Sequence, residues 1–295
     1  MIAHIKVFLW KKLNNISRKL SLFAFGNSLG FKLNINWKIY ANKAKFNYKL
    51  PIVESKEAID LVTTRLCVLG KANCLDLRNY VHNYFESGKG LPVEGAPQII
   101  VMDRESQKLT AGWVYEILKE FATPVEYFFK SYFAPYHIII QKTVPGSTTA
   151  DTSFGWHFDD NPKGYIKLFV YLNDVFESNG AFRAFDLASS KKIIANGFKS
   201  YSATDRLKSQ PIAEDFLSGN PSALKVLEGK AGTVLAFDNN LVHKGTAPRD
   251  GFRYAIQIPI IPALNAITLK DVEMALGSPR LRDYPSNPAF NDHGY

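Results

Sequence analysis

Cysteine is nearly missing from this chain: Cys67 and Cys74 are the only two among 295 residues. Neither has a His or a further Cys at zinc-ligand spacing, which excludes a structural zinc module and a disulfide scaffold. Read as positions on one helix, the two thiols lie two turns apart on one face, too distant to bridge, so buried free thiols in a reducing, cytoplasmic setting are expected. Long apolar runs are also missing. None approaches the roughly 18 residues of a membrane span, and the first residues lack the unbroken apolar segment and small-residue cleavage site of a secretory signal.

Carboxylates are absent from the first 50 residues, where Lys6, Lys11, Lys12, Arg18, Lys19, Lys32, Lys38, Lys43, Lys45 and Lys49 stand alone until Glu54. Subtracting these from the totals of 36 basic and 27 acidic side chains leaves 26 and 27 for the rest. The body is therefore close to neutral, and the isoelectric point near 9.3 describes a leader segment. Nothing in that balance argues for a nucleic-acid partner. With 46% hydrophobic and 21% charged residues, the chain has the composition of a protein that buries a substantial core.

Within the leader, Ile2, Ile5, Leu9, Leu13, Ile16, Leu20 and Phe23 recur at helical spacing among the lysines. A basic amphipathic helix over residues 1–25 follows, with three roles open: packing on the protein's own body, peripheral contact with an anionic membrane, or organelle targeting. Helical spacing returns from Glu57 to Ser87 and from Thr110 to Tyr132. After Pro135 the texture changes to short β-rich runs, His137 to Val144, Ile166 to Leu172, Thr233 to Phe237 and Tyr254 to Ile260, separated by Gly, Asn, Asp, Ser and Pro. The expected fold class is α+β, a jelly-roll core with buttressing N-terminal helices. The expected division is a leader over 1–50, a helical buttress over 51–134, a catalytic core over 135–262 and an extension over 263–295, with 51–295 as one domain.

The candidate site begins at Gly155-Trp156-His157-Phe158-Asp159-Asp160. On an extended chain His157 and Asp159 point to the same side and Asp160 points away, so one imidazole and one carboxylate can reach a common metal ion. His243 follows the strand-like Gly232-Thr233-Val234-Leu235-Ala236-Phe237-Asp238 and supplies a second imidazole. Two His and one carboxylate are the facial triad of a non-haem Fe(II) oxygenase, leaving positions for a co-substrate and O2. Asp159 argues against halogenation, because a halide would need its coordination position. Ten residues beyond His243 lies Arg253, a planar cationic fork suited to the distal carboxylate of a 2-oxo acid.

The ordered set, centred on Lys167-Leu168-Phe169-Val170-Tyr171-Leu172-Asn173-Asp174-Val175, resembles the phytanoyl-CoA dioxygenase-like Fe(II)/2-oxoglutarate oxygenases over about residues 135–262. The resemblance implies a double-stranded β-helix, with His157, Asp159 and His243 as iron ligands and Arg253 on 2-oxoglutarate. Lys167 falls where such proteins place another co-substrate contact. The implied cofactors are Fe(2+), 2-oxoglutarate and O2. The implied reaction is hydroxylation of a small organic or lipid-like acyl substrate with release of succinate and CO2. Two departures stand out. Phe185-Asp186-Leu187-Ala188-Ser189-Ser190 replaces the Pro-Gly-Ser-His segment of relatives at the mouth of the site. Ala255 replaces their Ser two residues after the Arg, so Arg253 needs another hydroxyl partner, which the sequence does not name.

Other readings of the same residues remain. A metal-binding, cupin-like jelly roll without turnover would need the triad but no Arg253, and an oxygenase acting on a macromolecule would draw on the basic leader. Taken singly, His157 with Asp159 fits a surface turn, His243 a core histidine, and Lys167 a solvated strand lysine. His137 is expected as a packed histidine outside the ligand set, Trp156 and Phe158 as core or site wall, and Phe182 and Arg183 at the mouth, where Arg183 fits either an anionic substrate or a rim salt bridge.

Overall fold

The computed structural model describes residues 35–48, 62–66, 71–159 and 165–276. The amphipathic segment 1–25, Cys67, the Cys74 side chain, Asp160 and most of the C-terminal extension lie outside the described residues.

The N-terminal half runs α1 (Ile35–Asn47), β1 (Val62–Leu66), α2 (Lys71–Glu86), β2 (Leu91–Val93), β3 (Ala96–Val101), α3 (Arg104–Lys108), α4 (Ala111–Glu120) and α5 (Ala122–Phe129). Next come β4 (Tyr132–Pro135), β5 (Ile139–Thr143), β6 (Ile166–Tyr171) and β7 (Phe182–Phe185). The chain then makes a helical excursion through α6 (Leu187–Ala195) and α7 (Ala203–Gly219). It returns as β8 (Leu224–Leu227), β9 (Thr233–Asp238), β10 (His243–Lys244) and β11 (Arg253–Ala263), followed by α8 (Leu269–Ala275).

The strands form a large antiparallel sheet in the order β1-β9-β6-β11-β5-β3-β2, with β4 also on β11, and a small sheet in the order β10-β7-β8. Alternation along β6 shows how they pack. Leu168 and Val170 join Ile256 and Ile258 of β11 against α2, α4 and α5, burying Leu77, Val81, Val114, Ile117 and Val125. Phe169 and Tyr171 point the other way, with Leu235, Phe237 and Ala255, and meet Phe182, Ala184 and Leu227 of the small sheet. Each Val, Leu, Ile or Phe among them contributes roughly 1.5–3 kcal/mol on burial. Beyond the small sheet, Trp156, Phe158, Phe185 and Val242 pack on Ile193 and Ile194 of α6 and Ala213 of α7. The chain is α+β with the jelly-roll core expected from its sequence.

Three local expectations need correction. The helix read from Glu57 starts only at Lys71, because Val62-Thr63-Thr64 is a β-branched run and pairs with β9 as an edge strand. With β2 and β3, it brings strands of the 51–134 region into the large sheet, so that region is more than a helical buttress. The helix read over Thr110 to Tyr132 is two, divided at Phe121, with Pro124 tolerated in the first turn of α5. The sequence reading did not anticipate α6 and α7, although each starts on a side-chain cap, Asp186 on the Ser189 amide and Ser202 on the Asp205 amide.

Candidate metal centre

His157 and His243 face each other across an antiparallel bridge. Their backbones exchange both hydrogen bonds, at 2.9 and 2.8 Å, and their ring centroids lie 4.3 Å apart. One step on, the Asp159 amide donates to the Asn239 carbonyl at 3.0 Å. The extended stretch therefore turns His157 and Asp159 to the same side, as the alternation requires. The Asp159 Oδ1 atom stands 3.6 Å from His157 Nε2 and 4.0 Å from His243 Nε2, and one donor atom of each residue lies within 4.8 Å of the others.

Both imidazoles are oriented by backbone carbonyls: His157 Nδ1 lies 2.8 Å from the Gly155 oxygen and His243 Nδ1 lies 2.7 Å from the Leu241 oxygen. A carbonyl only accepts, so Nδ1 carries the hydrogen and each Nε2 presents its lone pair to the centre. Burial pushes His157 down to about 4, against the pull of Asp159, and burial together with His157 holds His243 well below the usual histidine value. Burial would raise the Asp159 carboxyl, but Lys167 and the two imidazoles outweigh it and hold the group well below the usual carboxylate range. At neutral pH the centre thus offers two neutral imidazole lone pairs and a carboxylate, the donor set of a divalent transition metal. Such converging donors are mutually unfavourable until a cation joins them.

Lys167 reaches in from β6 and places its ammonium 2.7 Å from Asp159 Oδ2, leaving Oδ1 facing the histidines. Arg253, the first residue of β11, is only 3% exposed. It donates through Nη1 to the Gly180 carbonyl and through Nη2 to Thr143 Oγ1 at 3.3 Å, while its guanidinium lies 5.4 Å from the Phe169 ring centre. Its Nε hydrogen has no partner, and among the described residues no carboxylate lies within ion-pair distance of it. A buried guanidinium left this way favours an anionic ligand.

His157, Lys167, His243 and Arg253 line one pocket with Phe169, Phe182, Gln141 and Gln257, enclosing about 420 Å³ out to its open mouth. The cluster and the pocket thus bring His157, Asp159, Lys167, His243 and Arg253 together. His137 stands outside the ligand cluster, pushed down to about 4 by burial and by Lys167. Trp156 and Phe158 turn away from the ligands into the core; Phe182 lines the pocket, whereas Arg183, the next residue along β7, does not and forms an ion pair with Glu177.

Sequence reasoning missed Thr143, Gln141 and Gln257. Thr143 is the hydroxyl partner that Ala255 does not supply, placed by the register Arg253 to Thr143 between β11 and β5. Gln257 donates to Gln141 at 2.8 Å across the same pair of strands. Gln257 lies four residues beyond Arg253 on β11, and that even spacing was the available signal, whereas Gln141 and Thr143 are placed by the register of β5 against β11.

No family model and no curated protein matches the sequence. Among solved structures, the chain is similar to the non-heme alpha ketoglutarate dependent carbocyclase SnoK from nogalamycin biosynthesis, with 15% identity over 71% of this chain and 84% of that one and a TM-score of 0.48. It is similar to the epimerase SnoN of the same biosynthesis, with 12% identity over 77% and 84% and a TM-score of 0.46. It is also similar to HygX from Streptomyces hygroscopicus, solved with nickel, 2-oxoglutarate and hygromycin B, with 14% identity over 70% and 85% and a TM-score of 0.45.

Proposed function

We propose that this protein is a non-haem Fe(II)- and 2-oxoglutarate-dependent dioxygenase of the phytanoyl-CoA dioxygenase-like kind, acting on a small organic or acyl substrate. The observation that carries the reading is the company Arg253 keeps: a buried, carboxylate-free guanidinium in the same pocket as a His-Asp-His donor set. A metal-binding module without turnover has no use for that cation.

His157, Asp159 and His243 would hold Fe(II), and bound iron supplies the activation of O2 that organic side chains cannot. Arg253 would take the distal carboxylate of 2-oxoglutarate, steadied by the Thr143 hydroxyl and by the Phe169 face beneath its fork. Lys167 would hold Asp159 Oδ2, keeping Oδ1 toward the metal, beside the co-substrate cleft. The overall change is 2-oxoglutarate, O2 and R–H to succinate, CO2 and R–OH, one oxygen atom going into each organic product. Among the described residues, no helix is long and apolar enough to cross a membrane.

Iron-loaded protein is expected to release succinate from 2-oxoglutarate only with O2 present and Arg253 intact. Protein that holds iron and 2-oxoglutarate yet releases no succinate under O2 would contradict the reading.

A further inference from the structure

The stretch 156–159 carries two of the three ligands but has a strand neighbour on one edge only. Along that edge His157 pairs with His243, and the Asp159 amide reaches the Asn239 carbonyl. In an extended chain the backbone groups of Trp156 and Phe158 point to the opposite edge, where there is no strand among the described residues.

Side chains of the helical excursion take its place. Gln210 of α7 accepts from the Trp156 amide through Oε1 at 2.8 Å and donates from Nε2 to the Trp156 carbonyl at 2.9 Å. Ser200, in the connection between α6 and α7, accepts from the Phe158 amide at 3.2 Å and donates to the Phe158 carbonyl at 3.0 Å. Each side chain therefore satisfies both polar groups of one peptide residue, as a paired strand would. The same device supports the other histidine: Ser190 of α6 accepts from the Val242 amide at 3.0 Å, one residue before His243. Glu214, one turn beyond Gln210, accepts from the Trp156 indole at 2.6 Å.

We propose that Gln210 and Ser200, with Ser190 in support, are positioning residues of the metal centre, acting as a surrogate strand that fixes the path of the ligand-bearing stretch. The inference rests on the metal reading above. Its physical basis is that a single-edged strand is free to shift or fray, whereas both ligand side chains must be held to a fraction of an ångström for three donors to meet one ion. The excursion occupies the place where the sequence departs from the pattern it resembles. The departure at Phe185-Asp186-Leu187-Ala188-Ser189-Ser190 is thus a change in how the centre is supported.

The test titrates Co(II), a spectroscopic substitute for iron, into metal-free full-length wild type, Gln210→Met, Ser200→Ala and Ser200→Thr, with thermal unfolding of each recorded before metal is added. Gln210→Met keeps the length and volume of the side chain without either hydrogen bond, and Ser200→Thr keeps the hydroxyl. Gln210→Met and Ser200→Ala are expected to bind Co(II) roughly tenfold more weakly and with an altered visible spectrum, while Ser200→Thr stays within about threefold of wild type. Folded variants that bind within about twofold of wild type and share its Co(II) spectrum would overturn the proposal, because purely structural contacts would change unfolding and leave the metal untouched. If Gln210→Met does not fold, Gln210→Glu, which keeps only the acceptor for the Trp156 amide, carries the same comparison beside Ser200→Ala. A wild type that binds no Co(II) would overturn the metal reading itself, an outcome distinct from failure of the variants.

Discussion

Thr143 stands directly across from Arg253 in the β5 and β11 register, and its hydroxyl lies 3.3 Å from the guanidinium. A neighbouring strand thereby supplies the oxygen that Ala255 cannot. Thr143→Val keeps the shape of the side chain and removes that oxygen. A hydrogen bond to a charged group contributes about 1.5–3 kcal/mol, so 2-oxoglutarate is expected to bind at least about tenfold more weakly. Iron affinity should stay as in wild type, and anaerobic calorimetry of the iron-loaded protein reads both. Unchanged 2-oxoglutarate binding would remove Thr143 from the co-substrate site.

Lys167 holds the Asp159 oxygen turned away from the histidines, at 2.7 Å. Lys167→Met retains the apolar stem and loses the ammonium, leaving the carboxylate free to rotate and without its nearest cation. Removing a partner of a metal ligand typically weakens metal affinity by about 10–100-fold, and that range is the expectation here. Competition against a chelator of known affinity measures it. Full metal affinity in Lys167→Met would show that the histidines alone orient Asp159.

Acid should destabilise the metal-free protein well before its carboxylates titrate. Burial pushes His157 and His137 down to about 4, whereas unfolded histidine titrates near 6.5. Between these values the unfolded chain binds protons that the folded chain refuses, so stability falls as pH drops from about 6.5 toward 4 and is fully present above that window. Each group contributes on the order of 3 kcal/mol at neutral pH. Urea midpoints for metal-free protein are expected to drop steeply between pH 7 and 5, and His137→Gln should flatten part of the slope. A midpoint constant over that range would contradict the assigned burial of these rings.

Much of the centre is legible in the sequence because its logic is local. The H-x-D spacing places His157 and Asp159 on one face of any extended chain, and the strand before His243 and the ten-residue step to Arg253 are visible without a fold. Thr143 was hidden, since nothing local says which residue of one strand lies opposite Arg253 in another; register is a property of the assembled sheet. Gln210 and Ser200 were hidden for a related reason, as a helix 54 residues from Trp156 supplies a strand's hydrogen bonds through a side chain. Residues 62–66 show the limit of periodicity, because a short β-branched run inside a stretch of helical spacing reads as helix until β9 is there to pair with it.

The central claim is that His157, Asp159 and His243 hold an iron to which 2-oxoglutarate, gripped by Arg253, can bind. Anaerobic titration of Fe(II) and then 2-oxoglutarate, followed by visible absorption, tests it most directly. Wild type is expected to develop the weak charge-transfer band of a 2-oxo acid bound to Fe(II). His157→Ala should show none, and Arg253→Ala should need far more 2-oxoglutarate while keeping its iron. No band with wild type, or an undiminished band in His157→Ala, would contradict the account.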